Sequence, residues 1–260
     1  MSSEVMGAPG EVASRVPDEW FAGFHVGLAA RFWRAVGATT ADRDAELLLE
    51  LLGPDVRSAL DVPCGDGRLT IRLAAAGLAV TGIDIVASEV EHARRAAAQA
   101  GIDARFQEGD LRALPDVGPV DAAISWGNSF GYLTPADTAR SLAAMHGLLR
   151  PGGRLVLESL TVAESMLVGG VRPSADYEFG GIRMTTTNRY RAAESRLESD
   201  LVFEDSDGHV ERTRSAHHVH TTGEVVRLLG DAGFGDAALF DGEGEPYELG
   251  SSRLIVIAGA

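Results

Sequence analysis

A chain of 260 residues that is 45% apolar can bury one large folded unit carrying an insertion, and is too apolar for wholesale disorder. Its net charge of −15 disfavours nucleic acid as a partner, and no stretch of 18 apolar residues is present to span a membrane. All 23 basic residues are arginine, which excludes Schiff-base chemistry, a phosphate-loop lysine and a lysine base, while the lone Cys64 excludes an internal disulfide and a thiolate zinc site and fits a cytoplasmic setting.

Residues 1–16 lack the basic patch and apolar core of a secretory signal, and roughly the first 15 are expected to fray. Positions 20–50 then read as two helices, the first carrying Trp20, Phe24 and Leu28 along one face. Short apolar runs alternate with helical stretches from there onward. Strands are expected at 59–62, 79–83, 104–106, 122–125 and 154–157, with helices at 68–76, 88–100 and 138–149. The strand runs are nearly continuous in apolar residues, as strands covered on both faces should be. Pro151-Gly152-Gly153 predicts a break before the fifth strand.

Between Thr161 and His220 the pattern changes to polar–apolar alternation. Asp207-Gly208 between two extended runs signals a hairpin, so this segment reads as an antiparallel insertion. Thr221 and Glu224 form a capping box opening a helix over 225–232, and strands at 237–240 and 254–257 close the chain. The expected organisation is an N-terminal tail and helical lid over 1–45, an α/β core over 46–160 and 221–260, and a β-rich cap over 161–220.

Gly65 and Gly67 sit in a loop between the first strand and its helix, where a bare backbone can approach a ligand and helix-start N–H groups favour a polar one. Asp84 ends the second strand, where a carboxylate can accept hydrogen bonds from both ribose hydroxyls of a nucleoside. Asp110 follows the third, where it could take the amino group of adenine. Asp61, Asp84 and Asp110 thus fall after successive strands on the carboxyl edge of the sheet, the ligand-binding edge of open α/β folds. A nicotinamide dehydrogenase would want a third loop glycine at position 70, which is Thr70.

The run Leu60-Asp-Val-Pro-Cys-Gly-Asp-Gly-Arg68, with Gly82-Ile-Asp84 and Gly109-Asp-Leu111, resembles the class I S-adenosylmethionine-dependent methyltransferases, in particular bacterial small-molecule types. Asp121-Ala-Ala-Ile-Ser125, Ser129-Phe-Gly-Tyr-Leu133, Leu149-Arg-Pro-Gly-Gly-Arg-Leu155 and Leu228-Leu-Gly-Asp-Ala-Gly-Phe234 continue the likeness, which runs from about Glu46 to Leu160 and again from Thr221 to the end. The resemblance implies a doubly wound, seven-stranded Rossmann-like sheet with its last strand antiparallel, and S-adenosylmethionine as cofactor. It puts Asp61, Pro63, Gly65 and Gly67 beside the methionine portion, Asp84 with Ile85 at the ribose, and Asp110 with Leu111 at adenine. Trp126 and Asn128 would flank the transferable methyl group, although Trp126 equally reads as packing. Pro63 replaces the family's first loop glycine and removes one N–H.

Methyl transfer needs alignment, desolvation and, for some acceptors, proton removal, but no metal. Glu158 at the end of the fifth strand, Tyr132 and His220 are the candidate catalytic groups. Each also has a plain structural reading, as a strand-end carboxylate, a packed aromatic and a strand-end histidine. His217, His218 and His220 invite a metal reading, since His218 and His220 would share a strand face, but without a nearby third ligand a metal site is not expected. Trp20, His25, Tyr177 and Tyr190 are candidate substrate contacts, with Arg172 and Arg183 beside them in the cap. The expected partner is a small acceptor molecule, from secondary metabolism, with no nucleic acid and no membrane; a homodimer is compatible. Two competing functions share this fold: an S-adenosylmethionine-binding enzyme of rearrangement or cyclisation, and a non-catalytic small-molecule binder.

Overall fold

The computed structural model describes residues 15–260, so the fraying expected at the start of the chain falls, but for Arg15, outside the described residues. Two helices, α1 (Gly27–Ala38) and α2 (Ala41–Leu52), precede the first strand, β1 (Ser58–Asp61). There follow α3 (Arg68–Ala75), β2 (Ala79–Asp84), α4 (Ala87–Ala100), β3 (Arg105–Glu108), β4 (Val120–Ser125), α5 (Pro135–Leu148) and β5 (Leu149–Ser159). After a short α6 (Ala163–Met166) come β6 (Ser174–Phe179), β7 (Ile182–Arg191), β8 (Arg196–Asp205) and β9 (Val210–His218). The chain closes with α7 (Thr222–Asp231), β10 (Ala237–Phe240) and β11 (Leu254–Gly259).

Seven strands form one sheet in the order β10-β11-β5-β4-β1-β2-β3, with β11 antiparallel to both its neighbours. Alternation of side chains along each strand divides the core. Leu60, Ile83, Leu155 and Leu157 pack with Leu142 of α5 and Val225 and Leu229 of α7. Ala59, Val80, Ile124 and Val156 face the other way, onto Leu48 of α2 and Leu69 and Leu73 of α3. The chain leaves β1 towards β2 and β3 but places β4 and β5 on the opposite side. That switch point opens a crevice beyond the carboxyl ends of β1 and β4. Thr221 caps α7 as expected, its hydroxyl accepting the Glu224 N–H at 3.1 Å.

The break expected at Pro151-Gly152-Gly153 is a bulge within β5, which starts at Leu149. Its pairing to β4 jumps from Val120↔Leu149 to Ala122↔Arg154, so the extra residues loop out without ending the strand.

Two expectations for the N-terminal region change. Trp20, Phe24 and Leu28 are not on one helix: a 3-10 turn covers Trp20–Gly23, and α1 begins only at Gly27, whose φ is +55°. All three still enter a single buried cluster with Phe32. That cluster also contains Ile182, Met184, Leu201, Phe203 and Ala216 from the β6-β7-β8-β9 antiparallel sheet. The lid and the cap are therefore one lobe with a common core, and α2 belongs to the α/β body. Arg196, fully buried, fastens the lobe by donating to the Val16 carbonyl at 2.8 Å, while Glu198 accepts the Val16 N–H at 3.0 Å. The hairpin at Asp207-Gly208 joins β8 to β9 as expected. Strands β6 and β7 were not anticipated, because the polar run Thr185-Thr186-Thr187 blurs their alternation. Among the described residues, no helix is long and apolar enough to cross a membrane.

Candidate active site

A cavity of about 480 Å³ lies between the carboxyl edge of the sheet and the N-terminal/cap lobe. Its floor is made by the ends of β1, β2 and β4 with their loops, and its upper wall by Trp20, Phe21, Phe24 and His25 with Leu201, Ser215 and His217. The expected groups Asp61, Pro63, Gly65, Asp84, Ile85, Asp110, Leu111, Trp126, Asn128, Tyr132 and Glu158 all line it.

The glycine loop is held open by Asp84. One carboxylate oxygen accepts the Gly65 N–H at 2.8 Å and the other the Val86 N–H at 2.9 Å. The Ile85 N–H also bonds this carboxylate, which keeps acceptor capacity for one further hydrogen bond. Burial pushes the Asp84 carboxyl up from its ordinary value, against the pull of those N–H donors. Gly65 has φ +52° and a Cβ built there would touch nothing, so its bare face opens onto free space. Gly67 is different, and its expected place beside the ligand is corrected: it does not line the cavity. A Cβ there would stand 2.7 Å from both Ala93 Cβ and a Phe106 ring carbon, so this glycine lets α3 pack against α4 and β3.

Asp61 is buried, accepts the Thr70 hydroxyl at 2.5 Å, and is pushed by burial up to about 6. Asp110 is gripped by Arg112, whose Nε and Nη2 lie 3.0 and 2.6 Å from the Oδ2 atom. This pairing holds the carboxyl below the usual carboxylate range. Arg112 also donates to Glu19 at 2.6 Å, tying the proposed adenine end to the N-terminal segment. Burial drives the Cys64 thiol well up, which removes it as a nucleophile.

Glu158 is at the cavity wall, but its oxygens are engaged. One accepts the N–H groups of Gly127 and Asn128 at 2.9 and 3.1 Å, and the other faces Arg253 at 3.6 Å. Arg253 also meets Asp44 at 3.4 Å and lies over the Trp126 ring at 5.6 Å from its centroid. These contacts correct the assignment of Glu158 as a base: it shapes the loop after β4. Asn128, with φ +65°, continues that function, its carbonyl oxygen accepting the Leu160 N–H at 2.9 Å and the Thr161 hydroxyl at 2.8 Å. Glu158→Gln is expected to lower Tm, by about 1–3 kcal/mol of stability, because the half-buried Arg253 loses one of its two carboxylates and Glu158 itself is buried. A base would instead lose turnover at unchanged Tm, and thermal melting beside initial rates separates the two.

Three further assignments are corrected. His220 is buried away from the cavity, its Nδ1 3.2 Å from Glu224 and its ring 5.3 Å from that of Phe130. Tyr177 and Tyr190 do not line the cavity, nor do the exposed Arg172 and Arg183. The cap meets the cavity through β8 and β9, whereas these residues lie on or before β6 and β7, on the far side of the sheet. His217, singled out in sequence only within a metal reading, is instead a cavity residue. On β9, Ser215 and His217 share a face by the two-residue period, and that face closes the cavity. Burial pushes both His217 and His25 down to about 4, so both are neutral at physiological pH. Trp33, Arg34, Arg68 and Arg253 also line the site without having been singled out; Arg68, directly after the glycine loop, was the most legible of them. Among the described residues no group of three His, Cys, Asp or Glu side chains converges as a metal site.

Residues 59–153 match the family model described as a methyltransferase domain. The chain is 36% identical over 124 residues to the demethylmenaquinone methyltransferase of Deinococcus radiodurans, a match covering 47% of this chain and 51% of that protein. It thus spans about half the length of that relative. It is 27% identical over 213 residues to the cypemycin N-terminal methyltransferase of a Streptomyces species, covering 78% of this chain and 83% of that one. The solved CcbJ methyltransferase from Streptomyces caelestis superposes with a TM-score of 0.73 at 16% identity, over 85% of this chain and 89% of that one, a likeness of fold.

Proposed function

We propose that this chain is a class I S-adenosylmethionine-dependent methyltransferase, whose cavity takes the cofactor against the glycine loop and a small-molecule acceptor against the upper wall. The protein then moves the methyl group to an oxygen, nitrogen or carbon atom of that acceptor. The observation that carries this reading is the continuity of one cavity from Gly65 and Asp84 to Trp20, Ser215 and His217.

The residues present fit this cofactor. Gly65 leaves backbone bare at the cavity, and Asp84 keeps acceptor capacity for a ligand hydroxyl. Asp110 also lines the cavity, with its two oxygens accepting the Arg112 backbone N–H at 2.8 Å and the fork of the Arg112 guanidinium. When bound, S-adenosylmethionine supplies an electrophilic methyl group on a sulfonium. The chain's own contribution is orientation and dryness. Glu158 and Asn128 set the loop that carries Trp126, and the buried Trp20, Phe21 and Phe24 exclude water from above. The cypemycin methyltransferase among the relatives supports an acceptor from secondary metabolism.

Incubation with S-adenosylmethionine and a library of small acceptors, read by mass spectrometry, tests this. One acceptor is expected to gain a methyl group as an equivalent amount of S-adenosylhomocysteine appears. Conversion of an acceptor to an isomer with no S-adenosylhomocysteine formed would replace methyl transfer with rearrangement or cyclisation.

A further inference from the structure

Among the described residues, three guanidinium groups line the cavity, and two of them are committed to partners. Arg34 meets Glu89 at 3.4 Å and His92 Nδ1 at 3.2 Å, while Arg253 meets Asp44 and Glu158 at 3.4 and 3.6 Å. Arg68 is different. Among the described residues its guanidinium makes no hydrogen bond, and its Nε is buried without a partner. Its ion pair to Asp66 is long, with Nη1 3.5 Å from Oδ1.

Two glycines make room for this side chain. A Cβ built on Gly37 of α1 would stand 2.8 Å from Arg68 Nε, and one built on Gly127, after β4, would stand 3.4 Å from Nη2. Both glycines line the cavity, so the guanidinium lies in a slot between the N-terminal helix and the loop after β4. Its charge reaches Asp61, where it holds the carboxyl down against burial, and His25, where it disfavours the protonated ring. The carboxylates facing this end of the cavity are therefore Asp61 and Asp66, since Asp44 and Glu158 are engaged by Arg253.

Strand order decides what meets Arg68. Asp110 follows β3, Asp84 ends β2, Asp61 ends β1 and Gly127 follows β4, and these four strands are neighbours in that order. A cofactor with adenine at Asp110 and ribose at Asp84 extends its amino-acid end towards Asp61 and Arg68. A lone anion there would face two carboxylates as well as the guanidinium. An α-amino acid carries both charges on one carbon, so its carboxylate can take the planar fork of Arg68 while its ammonium faces the carboxylates.

We propose that Arg68, seated in the slot that Gly37 keeps open, holds the α-carboxylate of the cofactor and makes the site selective for an intact amino-acid end. This rests on the preceding reading for the identity and direction of the cofactor, and the experiment keeps the two apart.

The full chain, Arg68→Gln and Gly37→Ala are each titrated calorimetrically with two ligands. One is S-adenosylhomocysteine, and the other is its decarboxylated analogue S-adenosyl-3-thiopropylamine, which keeps the ammonium and lacks the carboxylate. Arg68→Gln is expected to weaken S-adenosylhomocysteine about tenfold or more, the value of a charge-assisted hydrogen bond. The analogue is expected to bind as tightly as before or tighter, because a cation no longer stands near its ammonium. Gly37→Ala is expected to move the ratio of the two affinities in the same direction, with Tm unchanged or raised. Alanine favours a helix, and the added methyl meets only the flexible end of Arg68. Equal losses for both ligands in Arg68→Gln overturn the proposal, as does unchanged affinity for S-adenosylhomocysteine. Should Arg68→Gln fail to fold, an unchanged ratio in Gly37→Ala overturns it instead. Failure of the unsubstituted chain to bind either ligand would remove the cofactor reading and the proposal with it, whereas binding with the same ratio in every variant removes the Arg68 assignment alone.

Discussion

Asp84→Ala is expected to weaken S-adenosylmethionine binding by about 1–3 kcal/mol, roughly 5- to 150-fold, because one carboxylate serves two purposes. It accepts the Gly65 and Val86 N–H groups that shape the glycine loop, and it lines the cavity. Alanine removes the ligand contact and leaves two N–H groups without their acceptor. Asp84→Asn keeps one carbonyl oxygen for a single N–H and is expected to fall between. Calorimetric affinity for S-adenosylhomocysteine is the readout, and an alanine variant that binds as tightly as the parent would remove Asp84 from the ribose site.

Gly67→Ala is expected to cost stability far more than it costs binding. The backbone at Gly67 has φ +77°, a region that costs an L-residue about 1–2 kcal/mol. The added methyl would also stand 2.7 Å from Ala93 Cβ and from the Phe106 ring, both fixed in the buried contact between α4 and β3. Strain and overpacking together amount to about 2–4 kcal/mol, a fall in Tm of roughly 5–15 °C for a chain of this size. Gly65→Ala makes the contrast. Its Cβ meets nothing, so Tm is expected to fall less while cofactor affinity falls more. If thermal melting showed the two variants losing equal stability, the division of the loop into a packing glycine and a ligand-facing glycine would be wrong.

The α/β body was legible because its signals are local. Leu60, Ile83, Ala123 and Leu155 sit in runs that only doubly covered strands tolerate, and Asp61, Asp84 and Asp110 mark their carboxyl ends. The lobe above the cavity was not legible in the same way, because its core is shared between segments far apart in the chain. Phe32 packs on Phe203 with ring centroids 5.5 Å apart, a contact that no window of sequence contains. The histidine run shows the limit most clearly. Which of His217, His218 and His220 reaches the cavity depends on the register of β9 against β8, which pairs Leu197 with His217 and Arg196 with His218, a long-range pairing that no window of sequence contains. Strand parity then selects His217 and buries His220 against Phe130. Glu158 was visible as a strand-end carboxylate. Its engagement depends on Arg253, 95 residues later, which no motif marks.

The most direct measurement is calorimetric titration of the full chain with S-adenosylmethionine and with S-adenosylhomocysteine, in parallel with Asp84→Ala. One site per chain, with Kd on the order of micromolar for both ligands and a clear loss in the variant, is the expected result. Absence of binding by either ligand would contradict the assignment of the cavity between Gly65 and His217 as a cofactor and acceptor site.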